Sequence, residues 1–598
     1  MPKKHSLAAL LALFTGLLIF CCVESTRLFA SADRQFETLA DDIFRQEVSA
    51  NTITLHYTLQ NPSDYGVSHP DISLGTYPVS SLEVSAAAEN CLSLLHSIPY
   101  QELNDANQLT YLVLQDSLDQ TLTGTPYLLY DEPLSPLTGI QSQLPVLLSE
   151  YQFYQMEDVD TYLELLQTLP DHFESLIHFE QAKSDAGLFM ASYTADAIIE
   201  ECRAFLDMGT GHYLYSTFED RLDALEDCGS SAKETYIARN AQILADSVFP
   251  AYQNLIDSIS DLRETGTNQN GLCHLPDGSA YYSYLVREET GSERTVEELE
   301  SLTRTQMQED LLVMQSILSS QDLPSPAETP AGASSDSGSS ASSETSGILL
   351  PDFALEDSNP SAILIDLKGK LNDNFPAIPE VDIQVKYVQP EMAEFLSPAF
   401  YMVPAIDSTG SQIIYINSSH LPDDLDLYTT LAHEGYPGHL YQNVYFASTD
   451  PSPLRWILGC GGYTEGWATY TEMMSYYFTD LTTEQAALLQ RNASVLLGLY
   501  ALADIGIHYE GWTLLDTVSF FREYGISDAD VVEEIYDLII ADPANYLKYY
   551  IGYVEFLELK KEAINQWGED FTQKRFHQAV LDAGAMPFYL LEDAVLGR

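Results

Sequence analysis

Two histidines and a glutamate within one short segment have the residue types of a hydrolytic metal site. The segment is Leu431-AHEGYPGHLYQ-Asn443, and it contains His433, Glu434 and His439. In zinc peptidases a His-Glu pair on a helix is followed by a second His, both imidazoles bind the ion, and the glutamate activates water. The segment therefore predicts a candidate site for a divalent metal.

The spacing of the two histidines departs from the usual zinc-peptidase pattern, because His439 follows His433 by six residues and not by four. At about 100° per residue, two such positions on a regular helix lie about 120° apart and cannot reach one ion. Pro437 and Gly438 favour a break, since proline collides with the carbonyl four residues back and glycine allows unusual backbone angles. If residues 435–438 loop out, His439 returns to the i+4 position. The alternative is a helix stopped by Pro-Gly, with both histidines as local caps.

A second segment, Gly461-GYTEGWATYTEMM-Ser475, predicts a helix that carries Glu465 near its start. Catalytic zinc usually has three protein ligands, and two histidines with one glutamate are a standard set. Glu465 is therefore the candidate third ligand. Glu472 follows seven residues later on the same helix face, and we interpret it as a surface residue rather than an acceptor beside the site. Trp467 and Tyr470 are interpreted as core residues.

The elements around these segments are predicted to be mostly helices. From about residue 36 to 321 apolar residues recur three and four apart, which is the helical period. Helical character resumes after Asn359, and Gln412-IIYI-Asn417 predicts one strand because it is rich in β-branched and aromatic residues. The sequence thus predicts a mostly α protein with a small β element near the site. Its predicted lobes are 35–323 and 348–598, separated by a disordered Ser/Pro/Gly-rich linker or insertion at 324–347.

The N-terminal residues 1–23 predict export. Lys3 and Lys4 precede the apolar run Ser6-LAALLALFTGLLIFCC-Val23, a pattern typical of a secretory signal. The run is also long enough to serve as an uncleaved membrane anchor. Cys21 and Cys22 stand where a bacterial lipoprotein carries its lipidated cysteine. The predicted location is the cell surface, by a lipid or N-terminal membrane tether, or the secreted fraction.

The composition excludes some classes of partner. The 598 residues include 89 acidic and 26 basic side chains, for a formal net charge of −63. So few bases cannot neutralise many phosphates, which excludes a nucleic-acid binder. The excess acid should favour neutral or cationic substrates. Beyond residue 23 five scattered cysteines without CxxC spacing do not predict a disulfide framework.

Together with HEGYPGH and EGWATY, several other segments resemble the bacterial family known as domain of unknown function 885. The resemblance covers most of the chain from about residue 35 and excludes the Ser-rich tract. It implies a helical gluzincin-type fold, distantly similar to carboxypeptidase Taq and neurolysin-like peptidases. The further matching segments are Leu275-PDGSAYYSYL-Val286, Ala399-FYMVPAIDSTGSQIIYIN-Ser418, Asp504-IGIHYEGW-Thr513, Leu547-KYYIG-Tyr553 and Phe576-HQAVLDAGAMP-Phe588.

The family resemblance also implies a ligand set and a catalytic base. One Zn²⁺ per chain would be bound by His433, His439 and Glu465, with Glu434 as general base. Such an ion lowers the pKa of a bound water to about 7, and the glutamate takes its proton during attack on a carbonyl.

Other residues in the matching segments are candidates for stabilising the oxyanion and binding substrate. His508, Tyr549 and Tyr550 are candidate oxyanion donors, and Tyr550 is also a candidate substrate contact. A purely structural role is the alternative for each of them. Tyr415 and Asn417 would contact substrate if their strand paired with an extended peptide.

The sequence therefore predicts an exported zinc metallopeptidase that is carboxypeptidase-like or oligopeptidase-like. A zinc hydrolase of non-peptide amides or esters would use the same ligands and is the first alternative. A non-catalytic surface-binding lipoprotein is the second, although Glu434 argues against it because a binding protein has no need of a base.

Overall fold

The computed structural model describes residues 31–320 and 355–598, apart from residues 69, 137, 227, 356, 372, 390–392, 394–396 and 409. The predicted signal or anchor at 1–23, with Cys21 and Cys22, lies outside the described residues. The predicted linker at 324–347 lies outside them as well. The assignments of both segments remain predictions.

Helices dominate the described residues, which confirms the predicted mostly α fold. Two stretches, Leu244–Val248 and Gly506–Glu510, are π-helical and continue the α-helices that end at Ile243 and Ile505. The α-helices are α1 (Ala32–Ser49), α2 (Thr52–Thr58), α3 (Ser81–His96), α4 (Asp105–Gly124), α5 (Ile140–Glu150), α6 (Met156–Gln167), α7 (Leu169–Asp185), α8 (Ser192–Asp207), α9 (Tyr213–Ala224), α10 (Ser230–Ile243), α11 (Phe249–Leu262), α12 (Gly278–Thr290), α13 (Val296–Ser320), α14 (Pro360–Gly369), α15 (Asp424–Glu434), α16 (His439–Ser448), α17 (Leu454–Ile457), α18 (Gly461–Ser475), α19 (Thr483–Ile505), α20 (Leu514–Glu523), α21 (Ala529–Ala541), α22 (Asn545–Trp567), α23 (Gln573–Ala583) and α24 (Phe588–Leu596).

A three-stranded sheet accompanies the helices, where the sequence predicted one strand. Its strands are β1 (Asp382–Tyr387), β2 (Ala399–Met402) and β3 (Ser411–Ile416), in the order β1-β3-β2. The predicted strand is β3, and it lies in the centre, parallel to β1 and antiparallel to β2. Because both of its edges are already paired, β3 has no free edge on which an extended substrate could add as a strand. The predicted pairing of substrate with this strand is therefore wrong.

Two hydrophobic cores organise the described helices. The smaller core is built mainly from α5 to α11, with Ile53 and Leu74 from the preceding segment. The larger core joins α1 to α4, α12 and α13 to the helices after residue 360. The boundaries of these two cores along the chain therefore differ from those of the predicted lobes, 35–323 and 348–598, because the larger core contains residues of both lobes.

One long apolar helix runs through the larger core. Thr483–Glu510, which is α19 with its π-helical extension, is long and apolar enough by composition to cross a membrane. Most of that stretch is buried inside the protein, and α13 packs along it. Its apolar composition is thus explained by packing within the protein.

The helices α18 and α22 approach each other closely because glycines meet at their contact. A Cβ on Gly466 would lie 2.5 Å from Cα of Gly552 and 2.8 Å from its carbonyl oxygen. A Cβ on Gly552 would lie 2.8 Å from Cα of Gly466. Real Cβ atoms do not approach backbone this closely, so a side chain at either position would push the helices apart. This contact fixes the distance between the residues that α18 and α22 carry.

We expect Gly466→Ala to lower the free energy of unfolding by about 3 kcal/mol, because the new methyl group meets backbone that cannot rotate away. Chemical denaturation would measure the change. The matched control is Gly369→Ala at the end of α14, where an added Cβ has no atom within 4 Å. Equal stability of both variants and the parent protein would contradict the inferred helix contact.

Candidate metal centre

The chain turns sharply between the two histidines of the first motif. Helix α15 starts at the cap Asp423, whose carboxylate accepts the N–H groups of Leu425 and Asp426, both at 3.1 Å. It ends at Glu434, and α16 begins at His439. The expected break at residues 435–438 is therefore present, as a turn between two helices and not as a bulge within one.

Gly438 makes this turn sterically feasible. Its N–H donates to the carbonyl oxygen of Ala432 at 2.9 Å, which folds the turn back onto the last turn of α15. A Cβ at this position would lie 2.6 Å from that same oxygen and closer still to the carbonyl oxygen of His433. Only glycine fits, so the Pro-Gly pair of the motif has a direct geometric reason.

The turn brings both imidazoles to one carboxylate of α18. Nε2 of His433 lies 3.6 Å from Oε2 of Glu465, and Nε2 of His439 lies 3.3 Å from the same atom. The two rings are nearly perpendicular, with centroids 4.8 Å apart. His439 is 2% exposed, whereas His433 and Glu465 remain partly accessible. The structure thus brings the three predicted ligands together in a partly open centre.

The two nitrogen–oxygen spacings of this cluster are close to those around a tetrahedral ion. Zinc binds His nitrogen and carboxylate oxygen at about 2.0–2.1 Å, so two ligands of a tetrahedral ion lie about 3.3 Å apart. The two nitrogen–oxygen distances match that separation. The ligand atoms of His433, Glu434 and His439 also lie within 4.8 Å of one another, so Glu434 borders the same space. The donor set and its spacing therefore suit zinc.

Glu472 holds His433 in orientation. Its Oε2 lies 2.9 Å from Nδ1 of His433, so Nδ1 carries the proton and Nε2 faces Glu465 with a free lone pair when the ring is neutral. Such a carboxylate behind a ligating histidine is the usual outer-shell partner in metal sites. The interpretation of Glu472 as a surface residue is therefore wrong. Its position two turns after Glu465 on the same helix face was the signal that could have identified it.

Glu434 and the turn are held by two contacts that the sequence did not indicate. The backbone N–H of Tyr401 in β2 donates to Oε2 of Glu434 at 2.8 Å, which leaves Oε1 for other chemistry. The indole N–H of Trp467 donates to the carbonyl oxygen of Pro437 at 2.9 Å. Trp467 is fully buried, as expected of a core residue, and it ties the two motifs together.

The side chains of the centre form ion pairs with one another. Burial opposes protonation of His433, but hydrogen bonds to Glu465 and Glu472 hold the pKa of this imidazole well above its ordinary value. Burial likewise opposes ionisation of Glu465, but the charges and hydrogen bonds of His439 and His433 hold its pKa well below the ordinary value. The carboxylate therefore stays ionised, and His433 must lose a proton before it can ligate a cation.

Tyr549 borders the centre, and Tyr550 does not face it. The Tyr549 ring lies 6.3 Å from the His433 ring, centroid to centroid. Burial and the charges of Glu465 and Glu434 raise the pKa of the Tyr549 hydroxyl well above its ordinary value, so it remains a hydrogen-bond donor. Tyr550 is fully buried and packs against α19, where a Cβ on Gly498 would lie 3.0 Å from its ring. Its geometry gives it a core role.

His508 is held by main-chain groups on both ring nitrogens. Nδ1 accepts the N–H of Leu272 at 3.1 Å, and Nε2 donates to the carbonyl oxygen of Ile539 at 2.8 Å. Burial lowers the pKa of the imidazole to about 4, so it is neutral. No ring nitrogen is left to donate to a substrate. A purely structural role, the alternative given for His508, therefore fits its geometry.

Tyr415 and Asn417 are also engaged within the fold. The Tyr415 hydroxyl bonds Glu150 of α5, and its ring stacks on Phe400 with centroids 4.9 Å apart. The Asn417 amide donates to the carbonyl oxygen of Ala393 at 2.7 Å, and its side-chain oxygen accepts the N–H of Ser419. Both side chains are buried and serve packing and turn formation, so the predicted substrate contacts do not fit their geometry.

The fold and the centre define a mostly α-helical protein with a His-His-Glu cluster between its helices. The chain belongs to the domain of unknown function 885 family, described as bacterial protein of unknown function, whose model matches residues 79–595. This confirms the family to which the sequence motifs pointed. No curated protein matches the chain.

Two solved structures are similar to this chain. One, from Colwellia psychrerythraea, is described as a candidate lipoprotein; it is 20% identical, with a TM-score of 0.77 over 95% of this chain and 99% of that one. Another, from Shewanella oneidensis, is described as a candidate lipoprotein of unknown function; it is 15% identical, with a TM-score of 0.62 over 94% of this chain and 99% of that one. At these identities the likeness establishes a shared fold.

We expect Gly438→Ala to destabilise the protein by about 3 kcal/mol, because the new methyl group would overlap the end of α15. Thermal and chemical unfolding would measure the loss. Gly410→Ala, in a turn where an added Cβ has no atom within 4 Å, is the matched control. A variant as stable as the control would show that the turn tolerates a side chain, contrary to its geometry here.

Proposed function

We propose that this protein is a zinc-dependent hydrolase of peptide bonds. The observation that carries the proposal is the convergence of His433 Nε2 and His439 Nε2 on one oxygen of Glu465, with Glu434 bordering the same space. A bound zinc ion would supply Lewis acidity and lower the pKa of water at the open position of the centre. The residues of the chain supply binding, orientation and proton transfer.

Each carboxylate of the centre has a separate part in this proposal. Glu465 contributes the anionic ligand, and Glu472 keeps the His433 proton on Nδ1 so that Nε2 can ligate. Glu434 is the general base: Oε2 is held by the Tyr401 N–H, and Oε1 can accept a proton from the attacking water and pass it to the leaving amine.

Tyr549 is the candidate donor to the developing oxyanion. It remains protonated because burial and nearby carboxylates raise the pKa of its hydroxyl, and its ring adjoins His433. A fixed hydroxyl donor in a partly dry site stabilises negative charge without reorganisation. Among the predicted donors, Tyr549 is the one whose geometry supports this role.

An outer sheet edge beside the base favours peptides over other amides and esters. Within the part of the chain that the structure describes, strand β2 pairs only with β3, and the Tyr401 N–H on its other edge donates to Glu434. An extended peptide adding to this edge would bring its own backbone to the base. β2 therefore replaces β3 as the proposed substrate-binding strand.

We also propose an exported, lipid-anchored location. The two basic residues, the apolar run and the Cys21-Cys22 pair of the N-terminal segment favour it. Two proteins of similar fold that are described as candidate lipoproteins support the same location.

We expect the purified protein to bind one zinc ion per chain and to cleave peptides in a library digest followed by mass spectrometry. Glu434→Gln should retain zinc and lose about 100- to 10,000-fold in rate, because a general base contributes about that much. Zinc affinity should rise with pH, because His433 must release a proton to bind the ion.

Elemental analysis and digestion with and without chelator provide the measurements. Glu569→Gln, at an exposed position, is the matched control and should behave like the parent protein. Wild-type protein that takes up no zinc would refute the proposal. Zinc-loaded protein that cleaves esters or other amides but no peptide would redirect it to that class of hydrolase.

We expect Tyr549→Phe to lower kcat about 100-fold or more with little change in KM or zinc content, because the hydroxyl acts on charge that develops during reaction. Tyr550→Phe is the matched control, since the adjacent ring packs in the core. Steady-state kinetics of both variants would check this. Equal kcat values for the two would remove Tyr549 from the mechanism.

A further inference from the structure

A buried lysine lies next to the residue that borders the metal centre. Lys548 precedes Tyr549 on α22, and its Nζ lies 5.5 Å from the centre of the Tyr549 ring. The Tyr549 ring in turn adjoins His433. Lys548 is only 9% exposed, so most of its side chain is removed from bulk water.

The ammonium group of Lys548 has no hydrogen-bond acceptor among the described residues. The nearest carboxylate oxygen, Oε2 of Glu289 on α12, lies 3.9 Å away, which is an ion-pair distance but too long for a hydrogen bond. An ammonium group whose one ion pair is this long is stabilised further when another acceptor completes its shell. Lysine contributes three donors, so the site has room for an anionic acceptor.

The start of α18 adds to the positive potential at this place. The stem of Lys548 runs past Gly461, the first residue of α18, where an added Cβ would lie 3.7 Å from Lys548 Cδ. The first turn of a helix carries a positive partial charge. The carboxylate of Glu289 lies at the same place, with Oε2 3.7 Å from that added Cβ, so a substrate carboxylate would share the ammonium group and the helix start with it.

The two arginines that flank the metal-binding segments in sequence are engaged elsewhere. Arg455 is buried and donates to the carbonyl oxygens of Ala583 at 2.8 Å and Ala585 at 3.1 Å. Arg491 donates to Oδ1 of Asp310 at 2.6 Å. Both side chains are committed to the fold, so neither is available to bind a carboxylate of a substrate.

From the position of Lys548 we infer that it binds the terminal carboxylate of the substrate, so that the enzyme removes residues from free C-termini. The inference rests on the proposed function and names its substrate class. Consecutive Cα atoms are about 3.8 Å apart. A carboxylate bound beside Tyr549 therefore belongs to a residue one or two positions beyond the bond that reacts.

Binding, measured without turnover, tests the inference. The probe is the tripeptide Gly-Phe-Leu as free acid, as C-terminal amide and as N-acetyl derivative, titrated by calorimetry into zinc-loaded Glu434→Gln protein. We expect the free acid and the N-acetyl derivative to bind about tenfold or more tightly than the amide. Lys548→Met should weaken binding of the free acid about 10- to 100-fold, the usual effect of losing a hydrogen bond to a charged group, and leave the amide unchanged.

Two further variants separate recognition from folding. Lys548→Arg keeps the charge and should keep the preference for the free acid. Lys561→Met removes an exposed lysine from the same helix, where its Nζ pairs with Glu558, and should change nothing. Thermal unfolding and zinc content of each variant show whether the fold is intact.

Two results would overturn the inference. One is equal weakening of the acid and the amide by Lys548→Met. The other is tight binding that is lost when the N-terminus of the peptide is acetylated and kept when its C-terminus is amidated. Glu289 and Asp542, whose charges also act on the Tyr549 hydroxyl, would then bind the peptide amine. If Lys548→Met weakens binding of the free acid alone but the parent protein cleaves no peptide, the proposed function is rejected and the anion subsite is retained.

Discussion

The space between Gly438 and the end of α15 is too small for any side chain, and the candidate centre depends on that constraint. Because Gly438 folds back onto the carbonyl groups of Ala432 and His433, one helix can end at Glu434 and the next begin at His439. Two imidazoles six residues apart then face one point. On a continuous helix they would diverge by about 120°.

The turn is connected to the rest of the molecule through a short series of buried contacts. The Trp467 indole bonds the carbonyl oxygen of Pro437, so α18 is fixed relative to the turn. The same helix carries Glu465 and Glu472, and its glycine contact with α22 fixes Tyr549 relative to both. Residues that look separate in sequence thus share one rigid frame, as the proposed catalytic centre requires.

The sequence predicted the helical class and the break in the first motif, because each follows from local spacing. It predicted that His433, His439 and Glu465 converge from the usual ligand set of catalytic zinc and from the family resemblance. It predicted less about what surrounds them. His508, Tyr415 and Asn417 have side chains suited to catalysis or recognition, but their partners are main-chain groups or side chains distant in sequence. Strands β1 and β2 were missed because β2 has only four residues and because both gain their stability from pairing with β3. Glu472 was misjudged because its partner, His433, lies on another helix.

The charge of the chain would affect the approach and the binding of the proposed substrate differently. With a net charge of −63, the long-range field attracts cations and repels anions over about a Debye length, roughly 8 Å at physiological salt. A carboxylate therefore gains nothing during approach and must be recognised at contact distance. The proposed subsite has that character, because a single buried ammonium group beside a helix N-terminus acts over a few ångströms. A peptide with basic side chains and a free C-terminus would satisfy both the long-range field and this local site.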